Sequence, residues 1–217
     1  MKTLAILSQK GGSGKTTLST TLAVAAEAHG LTTAILDLDK QASAAIWGDR
    51  RAGGIPAVEP AQAPRLGGYL EQAKKQGAHL VILDTPPEAA DVAAAAAAAA
   101  DAVLIPCRPS GFDLDAVGAS VRIARTAGKQ PFVVVYAAPV QGAETDETFA
   151  AIKAAGVELA PVVIHQRKAF SSRTQEGLTA YDTDPKGKAA HEARELLLWL
   201  CEKVIKLPIK KDNKVTI

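Results

Sequence analysis

The chain contains few cysteines and no segment suited to a membrane. Two cysteines occur in 217 residues, Cys107 and Cys201, and their separation fits neither a metal-binding nor a redox motif. No apolar run is long enough to span a bilayer, and Met1-Lys2 lead directly into an apolar segment without a signal peptide. These absences argue against an iron–sulfur carrier, an integral membrane protein and a secreted protein. We therefore expect a cytosolic protein in which each cysteine is an ordinary core or surface residue.

The net charge of +2 says little by itself, but its distribution is uneven. Residues 167–217 carry 11 Lys and Arg against 7 Asp and Glu, a net charge of +4, whereas the rest of the chain has a net charge of −2. A basic C-terminal third can face a polyanion such as nucleic acid. The same density of charge is also common on ordinary solvated helices, so both interpretations stay open at this point.

The most informative stretch lies near the N-terminus, where an apolar run is followed by glycines, Lys-Thr-Thr and a helical pattern. Leu4–Leu7 is long enough for one buried strand, and residues 18–29 have the apolar spacing of a helix. Glycines allow backbone N–H groups to approach an anion closely, and a helix start adds unpaired N–H donors. In this context Lys15 can reach the β- and γ-phosphates of a nucleotide, and the Thr16 hydroxyl can ligate Mg²⁺. The sequence therefore predicts a phosphate-binding loop.

Acidic residues end two further apolar segments. Residues 32–37 form a predicted strand that leads into Asp39, and residues 79–84 form another that ends in Asp84. The carboxyl ends of parallel strands meet at one edge of a sheet, where ligands bind. Asp39 and Asp84 are therefore candidates to organise Mg²⁺ and a water molecule. The alternative for Asp39 is a structural role as the N-cap of a helix over 42–51.

Strand patterns alternate with helical patterns along the chain, which predicts an α/β fold with a mostly parallel sheet and helices on both faces. Eight consecutive alanines, 93–100, fall in one predicted helix because alanine is the best helix former. The length suits one domain of this kind. We place a single domain at 1–207 and expect residues 208–217 to form a disordered basic tail.

Three segments resemble the ParA/MinD family of P-loop ATPases, which carry a deviant Walker A motif. Lys10–Thr16 reads KGGSGKT and is similar to the family's KGGxGK[ST]. Asp37–Gln41 is similar to its DxDxQ element, with Lys40 where the family usually has proline. Asp84–Pro87 is similar to its D-[TSG]-P-P element. The likeness extends over nearly the whole chain and is closest to small ParA-type DNA partition ATPases, whose P-loop NTPase fold it implies.

The resemblance also implies a set of site residues for ATP and Mg²⁺. In the family the first lysine of the motif, here Lys10, crosses a nucleotide-sandwich dimer to the partner's phosphates. The second aspartate, here Asp39, prepares the attacking water, and Thr16, Asp39 and Asp84 would hold Mg²⁺. The implied catalytic residues are Lys10, Lys15 and Asp39, and the implied ATP-binding residues are Lys10, Gly11, Gly12, Ser13, Gly14, Lys15, Thr16 and Thr17.

The mode of action implied by the resemblance is DNA partition. ATP binding drives a homodimer that binds DNA without sequence preference, and a centromere-binding adaptor protein stimulates hydrolysis to ADP and phosphate. Such a protein is cytoplasmic and associated with the nucleoid. Basic residues of the C-terminal third would supply the DNA contacts; the candidates are Arg167, Lys168, Arg173, Lys186 and Lys188.

Two other classes of function remain alternatives. A membrane-surface ATPase similar to MinD would need a C-terminal amphipathic helix, and Trp199 beside Lys203 and Lys206 fits one. However, the apolar positions within 196–205 cover too much of the helix for a surface anchor, so we expect core packing and no stable membrane insertion. A metabolic P-loop enzyme of related fold is the second alternative, and the sequence indicates no substrate pocket for it.

Overall fold

The computed structural model describes residues 1–210, apart from the side chains of residues 111–114. Within this range, strands and helices alternate along the chain. The strands are β1 (Lys2–Ile6), β2 (Thr33–Asp37), β3 (Ala57–Pro60), β4 (Leu80–Asp84), β5 (Ala102–Cys107), β6 (Pro131–Ala138) and β7 (Glu158–His165). The helices are α1 (Lys15–Ala28), α2 (Ser43–Arg50), α3 (Leu66–Lys75), α4 (Ala90–Ala99), α5 (Gly111–Thr126), α6 (Glu144–Ala154), α7 (Ala180–Thr183) and α8 (Lys188–Trp199).

All seven strands lie in one parallel sheet, in the order β3-β2-β4-β1-β5-β6-β7. The predicted α/β fold is therefore confirmed. After β1 the chain builds the β2, β3 and β4 side of the sheet first and then returns to add β5, β6 and β7 on the other side of β1. The carboxyl end of β1 is thus the point where the winding direction changes, and ligands of open parallel sheets bind at such points.

The pleat of the strands divides the core into two layers. In and just after β1, Leu4 and Ile6 pack on one face of the sheet, and Ala5 and Leu7 pack on the other. Helices α1, α2, α7 and α8 contribute to the first layer, and α3 to α6 contribute to the second. Both faces of the sheet are covered, which explains why its strands read as apolar runs rather than alternating patterns.

Helix α4 is built almost entirely from alanine. Ala93, Ala96 and Ala97 are buried in the second layer of the core, where they pack beneath the sheet with side chains of neighbouring helices. The run of alanines is therefore a packed helix, as predicted. Both cysteines are buried as well, so Cys107 and Cys201 belong to the core.

The C-terminal helix directs its apolar side chains into the first core layer. Leu196, Leu197 and Leu200 are at most 1% exposed, and Ile205 is 3% exposed. After Trp199 the helix continues as a π-helical turn over Leu200–Val204. The expected core packing of residues 196–205 is therefore confirmed. No helix among residues 1–210 is both long and apolar enough to cross a membrane.

The first residues of the predicted tail are packed rather than loose. Ile209 lies against the first core layer. The carbonyl of Lys210 accepts a hydrogen bond from His29 Nδ1 at 3.0 Å. The side chain of Ile209, after Pro208, therefore still contacts the core, and the domain boundary at 207 stays a prediction. Residues 211–217 of the predicted tail lie outside the described residues.

Candidate active site

The loop between β1 and α1 is shaped by glycines in the left-handed region of backbone space. Gly12 has φ +71° and Gly14 has φ +96°, a conformation that other residues rarely adopt. Helix α1 begins directly afterwards at Lys15, and no side chain caps its N-terminus. The loop therefore presents backbone N–H groups and an open helix end at the carboxyl edge of the sheet, as the sequence predicts.

Tyr136, near the end of β6, lies against this loop. A Cβ atom added to Gly14 would lie 2.1 Å from Tyr136 Cε1, closer than real Cβ contacts come. Burial raises the pKa of the Tyr136 phenol, although its hydrogen bond with the Thr17 side chain opposes that shift. Gly14 is therefore required by two independent constraints, its backbone angle and the aromatic ring packed against it.

Lys15 is buried at the base of the loop, with 7% of its surface exposed. Its ammonium group donates a long hydrogen bond of 3.4 Å to the carbonyl of Lys10. Burial lowers the pKa of Lys15, while the carboxylates of Asp84 and Asp39 oppose that shift. A desolvated cation with one long hydrogen bond is placed to gain from a bound anion.

Asp84 ends β4 and lies below the start of α1. Its two carboxylate oxygens accept hydrogen bonds from Thr16 Oγ1 at 2.7 Å and from Ser19 Oγ at 3.0 Å. Burial, together with the nearby charge of Asp37, raises the pKa of Asp84 to about 7, although the hydrogen bonds from Thr16 and Ser19 work in the opposite direction. The structure thus joins Thr16 and Asp84, two oxygen ligands that the sequence predicted for Mg²⁺.

The two aspartates at the carboxyl end of β2, Asp37 within the strand and Asp39 just after it, have separate roles. Asp37 Oδ2 accepts hydrogen bonds from the backbone N–H groups of Ala44 and Ala45 at 2.9 and 3.0 Å, and so caps helix α2. Asp39 Oδ1 accepts only a local bond from the Gln41 N–H at 2.9 Å, among the hydrogen bonds of the described residues. The structural role considered for Asp39 therefore belongs to Asp37, and Asp39 is left facing the cavity described next.

A cavity of about 740 Å³ runs along the carboxyl edge of the sheet. The phosphate loop forms its floor, Asp39 lies in its wall near β2, and Tyr136 lies in its wall near β6. Beyond β7 the wall continues through residues 165–168. The cavity therefore extends from the predicted hydrolytic aspartate, across the loop, to the far edge of the sheet.

The residues at the loop fit Mg²⁺ and nucleotide phosphates. Ser13 Oγ is buried and has no hydrogen-bond partner among residues 1–210. Such an orphaned hydroxyl is expected where a bound group normally supplies the partner. Mg²⁺ in phosphate-binding proteins takes one or two protein oxygens and completes its shell with phosphate and water, which matches Thr16 and Asp84.

The amino-acid sequence of this chain matches a known protein family over most of the length of the chain. Residues 4–196 match the family described as the CobQ/CobB/MinD/ParA nucleotide binding domain. The chain belongs to this family. It is accordingly a P-loop ATPase of the ParA/MinD type, with ATP and Mg²⁺ as its nucleotide and metal.

Individual members of the ParA/MinD family cover nearly the same length. The "Maintenance of carboxysome distribution protein A" of Gloeobacter kilaueensis is 33% identical over 198 residues, which are 88% of each chain. The "Protein ParA" of Rhizobium radiobacter is 28% identical over 82% of this chain and 84% of its own. A solved structure of MinD from Pyrococcus horikoshii OT3 with Mg-ADP has a TM-score of 0.73 over 90% of this chain and 94% of that chain, at 19% identity. This last likeness shows the shared fold.

The buried carboxyl group of this ParA/MinD-type site predicts an unusual pH dependence. Because the pKa of Asp84 rises from 3.8 to about 7 on folding, the folded protein keeps a proton that the unfolded chain loses between these values. The free energy of unfolding therefore falls as pH rises through this window and levels off above it. We expect Asp84→Asn, which removes the titrating carboxyl group and retains an acceptor oxygen for one of the two hydroxyls, to stabilise the nucleotide-free protein at pH 8 by about 1–4 kcal/mol and hardly at pH 4.

Thermal unfolding of wild type and Asp84→Asn across this pH range measures the effect. The same variant should also lose the Mg²⁺ dependence of ATP binding, because a neutral amide is a poor ligand for Mg²⁺. Equal stability of both proteins at pH 8 would contradict the raised pKa of Asp84. Unchanged dependence on Mg²⁺ would contradict its role as a metal ligand.

The five basic residues predicted to contact DNA fall into different environments. Arg167 is half-buried and forms an ion pair with Glu192 at 2.6 Å. Arg173 is exposed but forms an ion pair with Glu176. The remaining three residues are exposed lysines. Lys168 lies at the rim of the cavity, and Lys186 and Lys188 lie around the start of α8.

Several wall residues of the site were missed by sequence reasoning. Tyr136, Arg108 and His165 line the cavity but are not among the predicted site residues. Arg108 follows β5, Tyr136 lies near the end of β6, and His165 ends β7. Ligands of parallel sheets bind at the carboxyl edge of the sheet, so the position of these residues near strand ends could have indicated that they line the site.

Proposed function

We propose that this ATPase is a partition ATPase: ATP drives a dimer that binds DNA without sequence preference, and an adaptor protein on the cargo, such as a centromere-binding protein, stimulates hydrolysis. The observation that carries the proposal is the glycine loop, which follows Lys10 and ends at Lys15, together with the cavity that both Lys15 and Asp39 line. Its relatives' names support this mode of action, since one is a ParA and another maintains carboxysome distribution. Because these two relatives have different names and roles, the proposal does not specify which cargo is moved.

The phosphate chain of ATP would lie on the loop between residues 10 and 17. Backbone N–H groups of Gly11 to Gly14 would surround its oxygens, and the buried Lys15 ammonium would exchange its long bond to the Lys10 carbonyl for charge-assisted bonds. The Ser13 hydroxyl, now without a partner among the described residues, is a further donor at this place. Thr16 and Thr17 complete the set at the first turn of α1.

Hydrolysis would be prepared by the carboxylates at the β2–β4 side of the cavity. Asp37, rather than Asp39, caps helix α2. Asp39 faces the cavity, so it can hold and orient the attacking water. Thr16 keeps a lone pair for the metal while its hydroxyl hydrogen is donated to Asp84. When bound, Mg²⁺ would supply positive charge against the developing charge of the phosphates.

The DNA surface of the proposed dimer would include the exposed lysines Lys168, Lys186 and Lys188. Three lysines per chain become six in a dimer, and phosphate contacts act together on affinity. Dimerisation by ATP therefore makes DNA binding dependent on the nucleotide. Contacts of this kind read the phosphate backbone, so the sequence of the DNA has little influence.

The two alternatives have less support. A MinD-like membrane anchor would need the apolar residues of 196–205 at the surface, but Leu196, Leu197 and Leu200 are buried in the core. A metabolic enzyme would need a second substrate pocket beside the phosphates. The cavity wall beyond the loop is instead occupied by residues suited to the nucleoside, which are described in the next subsection.

Fluorescence anisotropy of a duplex DNA of arbitrary sequence, measured with ATP, ADP and no nucleotide, tests the proposal. We expect tight binding with ATP alone, and a loss of about 10³-fold in affinity between about 50 and 200 mM salt if six lysines contact phosphates. Equal binding without ATP, or indifference to salt, would argue against it. Co-sedimentation with anionic vesicles in place of DNA would favour the membrane-surface alternative.

A matched pair of variants locates the surface. The double substitution Lys186→Ala and Lys188→Ala should weaken DNA binding and reduce its salt dependence, because four phosphate contacts of the dimer are lost. The double substitution Lys74→Ala and Lys75→Ala on α3 removes the same charge from another surface and should leave DNA binding nearly unchanged.

A further inference from the structure

Glu192, on the inner side of α8, holds two residues of the cavity wall at once. Its Oε1 accepts hydrogen bonds from Arg167 Nη2 at 2.6 Å, from Arg167 Nε at 3.2 Å and from His165 Nδ1 at 2.9 Å. Its Oε2 accepts the backbone N–H of His165 at 3.1 Å. The Glu192 side chain is 11% exposed, whereas those of Arg167 and His165 are 23% and 30% exposed. The carboxylate is thus enclosed, while the two groups that it orients remain accessible.

Both held residues lie at the end of the cavity farthest from Asp39. His165 ends β7, which is the third strand from β1 on the side opposite β2 and β4. With neighbouring strands about 4.8 Å apart, β7 lies about 14 Å from β1. With the terminal phosphate near Asp39 and the phosphate chain on the loop, an extended nucleotide places its base toward β6 and β7.

The contacts with Glu192 determine which polar atoms the pair can offer to a ligand. Arg167 uses Nε and Nη2 on the carboxylate, and Nη1 is its further donor. Because a carboxylate accepts, His165 donates from Nδ1, which makes Nε2 an acceptor in the neutral ring. Burial pushes the pKa of Glu192 upward, but hydrogen bonds from Arg167 and His165 hold it below its usual value. Glu192 is therefore ionised and able to hold both groups at neutral pH.

We propose that Glu192 is a positioning residue for the nucleoside part of the nucleotide. Through Arg167 and His165 it fixes a hydrogen-bond donor and an acceptor at the β7 end of the cavity, a combination complementary to the polar edge of a purine. The proposal rests on the placement of the phosphates given under the proposed function. It also assigns Arg167 to the nucleotide rather than to DNA, so its effect on DNA binding would be indirect.

Calorimetric titration of Glu192→Gln with ADP and, separately, with inorganic tripolyphosphate tests this role. The substitution keeps the shape of the side chain but removes the charge that orients Arg167. We expect affinity for ADP to fall about 10-fold or more, because hydrogen bonds to charged groups are the stronger ones. Affinity for tripolyphosphate, which has no nucleoside, should remain within about twofold of wild type. Glu192→Asp, which keeps the charge, should recover part of the affinity for ADP.

Glu176→Gln is the matched control, because Glu176 forms a comparable ion pair with Arg173 on the exposed surface. It should change neither affinity. Arg167→Lys gives a second, independent variant should Glu192→Gln fold poorly, and it should show the same selective loss for ADP. Unchanged ADP affinity, or equal losses for ADP and tripolyphosphate, would overturn the proposal. Lys15→Ala should weaken both ligands; if it weakens neither, the placement of the phosphates is wrong instead.

Discussion

Lys15→Ala should nearly abolish nucleotide binding, and we expect its affinity for ATP to fall by at least about 100-fold. Charge-assisted hydrogen bonds contribute about 1.5–3 kcal/mol each, and the Lys15 ammonium can make more than one with a phosphate chain. The ammonium is buried beneath the loop and has a single long bond, to the Lys10 carbonyl, among the hydrogen bonds of the described residues. No other cation is placed at the floor of the cavity in residues 1–210 to replace it.

Isothermal titration with ATP measures this loss, and thermal unfolding separates it from a folding defect. Since burial lowers the pKa of Lys15, the folded protein disfavours its charged form, and removal of the ammonium should not destabilise the nucleotide-free protein. Lys75→Ala on the exposed face of α3 is the control and should bind ATP normally. If Lys15→Ala binds ATP as wild type does, the loop is not the phosphate site.

Asp39→Ala and Lys10→Ala should each bind ATP yet lose hydrolysis by about 100-fold or more, since a misplaced water alone can have that effect. Asp39→Ala should accumulate an ATP-bound dimer, visible by light scattering, because the nucleotide is not consumed. Its stability should match wild type, since Asp37 and not Asp39 caps α2.

Asp37→Ala provides the contrasting control on the same loop. It leaves three backbone N–H groups without their acceptor, those of Asp39, Ala44 and Ala45. Unsatisfied buried donors cost about 1–3 kcal/mol each, so this variant should unfold at a clearly lower temperature. Normal turnover by Asp39→Ala would reduce Asp39 to a loop residue. Equal destabilisation by both variants would contradict the separate roles of the two aspartates.

The predictable parts of the site are those encoded by local sequence. The strand–loop–helix order fixes the geometry around Lys15 and Thr16, because glycines at fixed offsets and a helix start act within a few residues of each other. Asp84 was predictable because a strand of a parallel sheet ends there. The alternation of strands and helices similarly determines the parallel sheet and its two covered faces.

The remaining parts depend on contacts between distant residues. Neither the packing of Tyr136 against Gly14 nor the hydrogen bond from Arg167 to Glu192 follows from a local sequence pattern. The residues of each pair are distant in the sequence and come together only when the chain folds. The division of roles between Asp37 and Asp39 was ambiguous for another reason. Two carboxylates two residues apart can both reach the start of α2, and only the backbone conformation selects Asp37.

Short elements were the least predictable part of the fold. Between β7 and α8 the chain forms two 3₁₀ turns, 168–170 and 174–176, and the four-residue helix α7. Such elements are too short to show a helical period in the sequence. They are held by tertiary contacts instead, such as the ion pair between Arg51 and Asp182, which joins the end of α2 to α7 at 2.7 Å.

We propose that two chains share each catalytic site, with Lys10 acting on the nucleotide of the partner. Lys10 precedes two exposed glycines, Gly11 and Gly12, at the mouth of the cavity, which leaves this part of the loop accessible to a second chain. In this proposed site, Lys15 would serve the phosphates of the nucleotide bound to its own chain. A cation supplied across a dimer would stabilise transition-state charge as an arginine finger does.

Mixing the inactive Lys10→Ala and Asp39→Ala proteins tests this claim most directly, with cross-linking first used to establish that mixed dimers form. In a mixed dimer one site has its own Asp39 and the other chain's Lys10, both intact. Random pairing makes about half of the dimers mixed, so we predict that roughly a quarter of wild-type ATPase activity returns. If Lys10 acts on its own chain's nucleotide, every site in the mixture remains defective. Absence of activity in cross-linked mixed dimers would therefore contradict the shared site.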